Sequence, residues 1–341
     1  MKAVVVHGAN DLRIDELPEP VAGAGEVTID VEWGGICGSD LSYWRHGASG
    51  TARLSEPLVL GHEISGRIAT LGPDVHGLEV GQAVTVHPAE LVGDGVLPDR
   101  IASRTNLYPQ VRYFGSAAFS PHTDGGFSER KTVRSSQIRV LPAGLDTLHG
   151  ALAEPLAVAM HAVSRAGNVT ARDVLVNGAG PIGSLVIAAL KFAGARTVVA
   201  ADISDASLRI AAAMGADDTR NVAAGEHLPD DVELVFEASG APAVLGSVLA
   251  ATARGGTLVQ VGNLPGAPAS AALGDLVTRE ISWIGSYRFI DEISDALHAM
   301  AEGLDVGPVI THKFGIDQAH TAMQTAADRS SGSSKVMLRF T

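Results

Sequence analysis

The sequence predicts a two-domain α/β protein, an irregular β-rich domain followed by a parallel sheet wrapped by helices. Three observations carry that expectation. The 341 residues exceed what one typical core holds. The first part strings short β-branched segments between Gly, Pro and Asp, at residues 4–6, 27–31 and 64–71. Beyond Thr147, strand-like and Ala/Leu-rich helical segments alternate, the signature of a parallel sheet with crossover helices.

The elements follow in order. Residues 91–127 mix polar and aromatic residues with Gly and Pro and show no period, so they read as a long excursion from the β-rich domain. Residues 147–166 read as helix and 173–177 as strand. A helix over 182–193 and a strand over 197–202 come next. Ser204 or Asp205 caps a helix that stops at Gly215. Strands at 232–237 and 257–261 flank a helix over 243–253, with Pro242 suited to its first turn. A helix over 290–303 and a final strand at 335–339 form a tail expected to pack on the first domain, and 330–334 reads as an exposed turn. The expected boundaries are 1–147, 148–285 and 286–341.

Composition narrows the function. Hydrophobic residues make up 46% and charged residues 18%, which describes a globular chain. The formal net charge is −13 and no run of Lys or Arg exists, which argues against a nucleic-acid partner. The apolar stretch at 185–190 is cut by Lys191, so no membrane span is expected. Cys37 is the single cysteine, which excludes an intrachain disulfide and points to a reducing, cytoplasmic setting.

Gly178-Ala179-Gly180-Pro181-Ile182-Gly183 follows a strand and opens a helix. In that G-x-G-x-x-G spacing the first glycine permits a tight turn. The second lets backbone approach a pyrophosphate, and the third lets helix and strand pack closely. The helix N-terminus offers free N–H groups and the positive end of its dipole. Asp202 ends the next strand at about the twenty-residue offset at which an acid meets the adenosine ribose. Its carboxylate repels a 2′-phosphate, so NAD is expected over NADP.

Cys37, His62 and Glu154 together supply a thiolate, an imidazole and a carboxylate. A lone Cys is usually a small buried hydrophobe and a lone His usually structural. Glu154 at a helix start could simply favour the dipole. As a set they are the donors of an open catalytic zinc site, where a fourth position admits an alcohol oxygen and lowers its pKa.

With these motifs in order, the chain resembles the medium-chain zinc-dependent alcohol dehydrogenases over essentially its whole length. The resemblance rests on Gly35-Ile36-Cys37-Gly38-Ser39-Asp40, Gly61-His62-Glu63, Glu154-Pro155-Leu156 and the glycine turn at 178–183. The sorbitol dehydrogenase branch is nearer than the ethanol-type branch. Arg112-Tyr113-Phe114-Gly115-Ser116-Ala117, Pro121-His122 and Asp124-Gly125-Gly126-Phe127 are similar to the L-idonate 5-dehydrogenases of that branch. The resemblance implies a GroES-like catalytic domain, a Rossmann domain, and oxidation of a secondary alcohol of a sugar acid or polyol by NAD. It implies one catalytic zinc on Cys37 and His62, with Glu63 or Glu154 as third ligand. It further implies proton removal through Ser39, substrate contacts from Tyr43 and Arg288, and a homodimer or homotetramer.

Three departures qualify the likeness. The excursion has none of the four cysteines with which many relatives bind a structural zinc, so hydrogen bonds or subunit contacts must order it. Ser42 stands where the branch commonly has a relay His, leaving His46 as a substitute. Ser207 stands where an Arg often follows the ribose acid. Alternatives from other classes are a zinc-free enone reductase and a non-catalytic NAD-binding module.

Overall fold

The computed structural model describes residues 1–341. The elements used below begin with β1 (Lys2–Gly8), β2 (Glu26–Gly35), α1 (Gly38–His46), β3 (Glu63–Leu71), β4 (Ala83–Val86), β5 (Arg130–Arg134) and β6 (Ile138–Val140). Then come α2 (Ala153–Arg165), β7 (Asp173–Asn177), α3 (Pro181–Phe192), β8 (Thr197–Asp202), α4 (Asp205–Ala213), β9 (Asp218–Asn221) and β10 (Val232–Glu237). The chain closes with α5 (Leu245–Ala251), β11 (Thr252–Gln260), β12 (Ser282–Gly285), α6 (Glu292–Ala301), β13 (Ile310–Gly315), α7 (Ala319–Ala327) and β14 (Lys335–Arg339).

The chain divides into two compact units. One comprises Met1–Glu154, Ile293–Ala301 and Ile310–Thr341, the other Pro155–Glu292 and Glu302–Val309. In the first, β2 is the central strand. The sheet order is β6-β4-β3-β2-β14-β13. β3 pairs along one edge of β2, while the other edge is shared by β5 at residues 26–30 and β14 at residues 33–35. Alternate β-branched residues of β2 and β3, Val27, Ile29, Val31, Ile64 and Ile68, face a core with Leu58, Leu60 and Phe127. The C-terminal strand therefore completes the sheet begun by the N-terminal segments.

The second unit carries six parallel strands in the order β9-β8-β7-β10-β11-β12. Numbered within this sheet, that is the 3-2-1-4-5-6 order of a doubly wound dinucleotide fold. Leu175, Val235 and Leu258 are fully buried in these strands, as expected of strands covered on both faces.

Three sequence expectations shift for local reasons. Residues 147–166 form not one helix but two, Thr147–Gly150 and α2. Pro155 has no N–H to continue the earlier turn and is tolerated in the first turn of a new helix. The helix expected over 243–253 ends at Ala251, because Thr252 is extended and pairs with Val232, so β11 starts five residues before the expected 257. The serines at 330–334 are not an exposed turn. Ser331 and Ser333 both donate to the Thr325 carbonyl at 2.9 Å, and residues 331–334 are half-buried. No helix is long and apolar enough to cross a membrane.

Phe127 closes the first core. It is fully buried, its ring lies tilted against Phe340 at 5.9 Å, and it lies where a side chain on Gly34 or Gly61 would collide with its ring. Replacing it with alanine removes contacts the surrounding backbone cannot recover. Phe127→Ala is expected to destabilise the first unit by about 3–5 kcal/mol, measured by urea unfolding through Trp33 and Trp44 fluorescence; a loss below 1 kcal/mol rejects this packing account.

Candidate active site

The metal-ligand candidates come from adjacent strands. Cys37 precedes α1 just after β2, and His62 immediately precedes Glu63, which opens β3. Glu63 pairs with Gly35 across the β2–β3 ladder, so the two segments start side by side. One carboxylate ties them further. Asp40 is fully buried, and its two oxygens accept from the Cys37 N–H at 2.9 Å and the Gly61 N–H at 3.1 Å. The Asp40 bond to Cys37 is the reach-back of a third-position acid to its N-cap. Cys37, His62 and Glu63 thereby bring sulfur, nitrogen and oxygen donor atoms within 4.8 Å of one another.

Gly61 allows this approach because its φ of +92° suits glycine, and because any side chain there would strike Phe127. The motif at 124–127 is the other half of that packing. Gly125 and Gly126 N–H groups donate to Val59 and Gly61 carbonyls at 2.7 and 2.9 Å, and Asp124 accepts from Val59 N–H at 3.0 Å. The excursion without cysteines is ordered by such bonds. Tyr43, buried in α1, accepts from Ala117 N–H at 3.0 Å, and Arg112 donates to the Pro121 carbonyl at 3.0 Å.

Two acids hold different places. Glu63 has no exposed surface and receives Lys335 Nζ at 2.7 Å on both oxygens. Glu154, also buried, accepts from the Tyr113 hydroxyl at 2.5 Å, and the Tyr113 ring meets His62 edge-on at 5.7 Å. The donor-atom set at 4.8 Å holds Glu63 and not Glu154. Asp40, Tyr113 and Lys335 are thus site residues that sequence reasoning passed over. Asp40 stood within the quoted motif, three residues after Cys37, which was its only local signal. Lys335 had none, because its partner is 272 positions away.

The electrostatics follow from burial. Burial disfavours the His62 cation, but Cys37, Asp40 and Glu154 outweigh it and raise the imidazole to about 10. Burial pushes the Glu63 carboxyl up to about 7, opposed by Lys335 and reinforced by Glu154. Burial acts to lower Lys335, yet Glu63, Cys37 and Glu154 hold its ammonium above the ordinary range. Lys335 offsets one of these acidic groups, and a cluster of buried carboxylates beside Cys37 and His62 also suits a multivalent cation. A soft thiolate beside imidazole and carboxylate is the donor chemistry of zinc rather than of calcium or magnesium.

Ser39 lies on the first turn of α1, two residues from Cys37, and is half-buried. Ser42 donates to the Ala48 carbonyl at 2.7 Å, closing the turn after the helix. His46 is exposed at the last turn, seven residues and about 10 Å of helix rise from Ser39, too far for a direct bond. Arg288 belongs to the other unit. Its backbone is left-handed at φ +51°, an uncommon conformation for a long side chain, and its guanidinium lies 5.0 Å from the Tyr287 ring.

The glycine turn joins β7 to α3. Gly178 has φ +93°, and a side chain there would meet Ser239 backbone. Pro181 starts α3 with Gly180 as N-cap, and Ile182 follows in the first turn. A Cβ on Gly183 would lie 1.8 Å from the Gly178 carbonyl oxygen, so this glycine sets helix–strand packing. A Cβ on Gly180 would meet nothing within 4 Å, leaving open space over the backbone. Asp202, ending β8, accepts from Ala179 N–H at 2.7 Å and Ser204 N–H at 2.9 Å, which aims its carboxylate at the turn. Its remaining lone pairs stay available to hydroxyl donors. Ser204 caps α4 by accepting from Ser207 N–H, the position where an Arg was missed.

Comparison with known proteins agrees with this architecture. Residues 23–143 match the alcohol dehydrogenase GroES-like domain and residues 181–302 the zinc-binding dehydrogenase family. The chain is 36% identical over 345 residues to an L-idonate 5-dehydrogenase (NAD(P)(+)) of Escherichia coli, covering 99% of this chain and 98% of that protein. It is 31% identical to a sorbitol dehydrogenase of Bacillus subtilis, covering 99% and 97%. The crystal structure of L-idonate 5-dehydrogenase from Escherichia coli superposes with a TM-score of 0.91 at 34% identity, covering 99% and 98%. Zinc and a nicotinamide dinucleotide are the cofactors of this family. The GroES-like domain, the parallel dinucleotide-type sheet and these relatives make the chain a member of the medium-chain zinc-dependent alcohol dehydrogenase family, whose enzymes oxidise CH–OH groups.

Proposed function

We propose that the protein oxidises a secondary alcohol of a sugar acid, an aldonate of the L-idonate kind, to the ketone with NAD as acceptor. The observation that carries the chemistry is the convergence of Cys37, His62 and Glu63 within 4.8 Å. These three are proposed to hold the zinc, with Glu154 beside it as a carboxylate held by Tyr113. Zinc held there would supply Lewis acidity for an alcohol oxygen, and a bound nicotinamide dinucleotide would supply the hydride acceptor.

The remaining work falls to this chain's own groups. Ser39 takes the alcohol proton, because a hydroxyl both accepts and donates, and passes it to water rather than to Ser42 or directly to His46. Asp40 fixes the spacing of the Cys37 and His62 segments. Tyr43 forms a fixed substrate-side wall, since its phenol is held by Ala117. Arg288 pairs with the carboxylate of the sugar acid, a role suited to a planar guanidinium. Gly178, Gly180, Pro181, Ile182 and Gly183 receive the pyrophosphate and Asp202 the adenosine ribose. The proposal includes a homodimer or homotetramer in the cytoplasm, acting on a small molecule.

The 36% identity to an L-idonate 5-dehydrogenase supports the aldonate reading. Identities of 31–33% to several sorbitol dehydrogenases support neutral polyols as the second reading. A panel of aldonates and polyols, followed at the NADH absorbance band, separates them. Arg288→Ala is expected to raise KM for aldonates by about 10- to 100-fold, the loss of one charge-assisted pair, while leaving neutral polyol kinetics within about twofold; unchanged aldonate kinetics reject the carboxylate role. NAD is expected to support turnover better than NADP, and Asp202→Ala to narrow that preference. A wild-type preference for NADP removes the ribose assignment. Gly180→Val is expected to weaken NADH binding by more than tenfold, read by fluorescence titration, with the thermal midpoint unchanged.

A further inference from the structure

We infer that Lys335 is a built-in counter-cation that lets the metal pocket fold before the metal arrives. The inference rests on the zinc reading of Cys37, His62 and Glu63, and adds a residue from the last strand that no motif assigns to the site. Three observations carry it. Lys335 is itself buried, at 2% exposure, and both its Glu63 contacts are 2.7 Å long. Its Nζ has one further acceptor, the Ile36 carbonyl at 3.3 Å, one residue before Cys37. The space it occupies is created by a glycine: a Cβ on Gly35 would lie 2.2 Å from Glu63 Oε2 and 3.3 Å from Lys335 Cδ.

The register explains how the pair forms. Gly35 of β2 faces Glu63 of β3 on one edge and Met337 of β14 on the other. Lys335 lies two residues before Met337, on the same face of β14 as Met337. Its side chain crosses the empty position of Gly35 to reach the carboxylate. The sheet thus delivers a cation from the end of the chain to a donor carboxylate 272 positions earlier.

The charges give this a purpose. Cys37, Asp40, Glu63 and Glu154 lie together, and Asp40 and Glu63 have no exposed surface. Without a cation, Glu63 would be desolvated beside another carboxylate, the most unfavourable state for a buried acid. Lys335 relieves it. Were zinc to take one Glu63 oxygen, the other oxygen and the Ile36 carbonyl would remain as acceptors for the ammonium. Lys335 is a positioning residue in this scheme, acting on the metal through Glu63.

The test compares thermal midpoints of zinc-loaded and chelator-stripped full-length protein, with zinc content measured in each sample. In Lys335→Met the zinc-free form loses its counter-cation while the zinc-loaded form retains one. The gap between the two midpoints is expected to widen by roughly 6–15 °C relative to wild type. Lys335→Arg keeps the charge and is expected to retain the wild-type gap. In the double variant Glu63→Gln with Lys335→Met the carboxylate that Lys335 neutralises is removed with it, and the gap is expected to be no wider than wild type. Equal destabilisation of both forms of Lys335→Met overturns the inference, since a merely packed lysine gives that result. If Lys335→Met fails to fold in either form, recovery of a folded double variant supports the inference and its failure overturns it. Wild-type protein that binds no zinc rejects the zinc reading itself, whereas zinc binding with an unchanged gap rejects only the role of Lys335.

Discussion

A missing side chain at Gly35 is the constraint on which the metal cluster depends. It lets a buried ammonium reach a buried carboxylate between three strands, and nothing larger fits there. Taking an ion out of water costs several kcal/mol unless an opposite charge or hydrogen-bond donors replace the hydration. The cluster meets that condition group by group. Asp40 accepts from two backbone N–H groups, Glu154 from a phenol and Glu63 from an ammonium. Each bond also fixes a position, so the arrangement that makes the charges tolerable is the one that aims the donor atoms at a common point.

The second unit handles charge differently. At the glycine turn the chain offers backbone N–H groups and a helix dipole rather than side-chain cations. Gly183 brings the helix onto its strand, while Gly180 leaves its surface open. Asp202 is held by two N–H groups in a conformation suited to hydroxyl donors. An overall net charge of −13 is compatible with an anionic dinucleotide, because main-chain N–H groups and a helix N-terminus can attract an anion locally.

The excursion shows how one ordering device can replace another. No set of cysteines is available there. Backbone bonds from Gly125 and Gly126 and the carboxylate of Asp124 hold it against the segment that carries His62, and the Tyr43 hydroxyl holds it against α1. Phe127 then fills the space left by Gly34 and Gly61. The excursion is therefore part of the support of the site, and Tyr113 is the residue it contributes directly.

Much was legible in the residues alone. Alternating strand and helix patterns located the parallel sheet, because hydrophobic period and turn residues act over a few positions. The glycine turn, Asp202, and the Cys37 and His62 motifs were readable for the same reason, each being a short run with its own chemistry. Helix ends were less so, since Pro155 and the pairing of Thr252 with Val232 decided them. What only the tertiary structure decided was the company each residue keeps. That Glu63 rather than Glu154 shares the donor set, that Asp40 joins Cys37 to Gly61, and that Lys335 neutralises Glu63 all depend on strand register between segments far apart in the chain. Local sequence encodes propensity and spacing, whereas register is set by the whole sheet and core at once, and buried charges find their partners only through it.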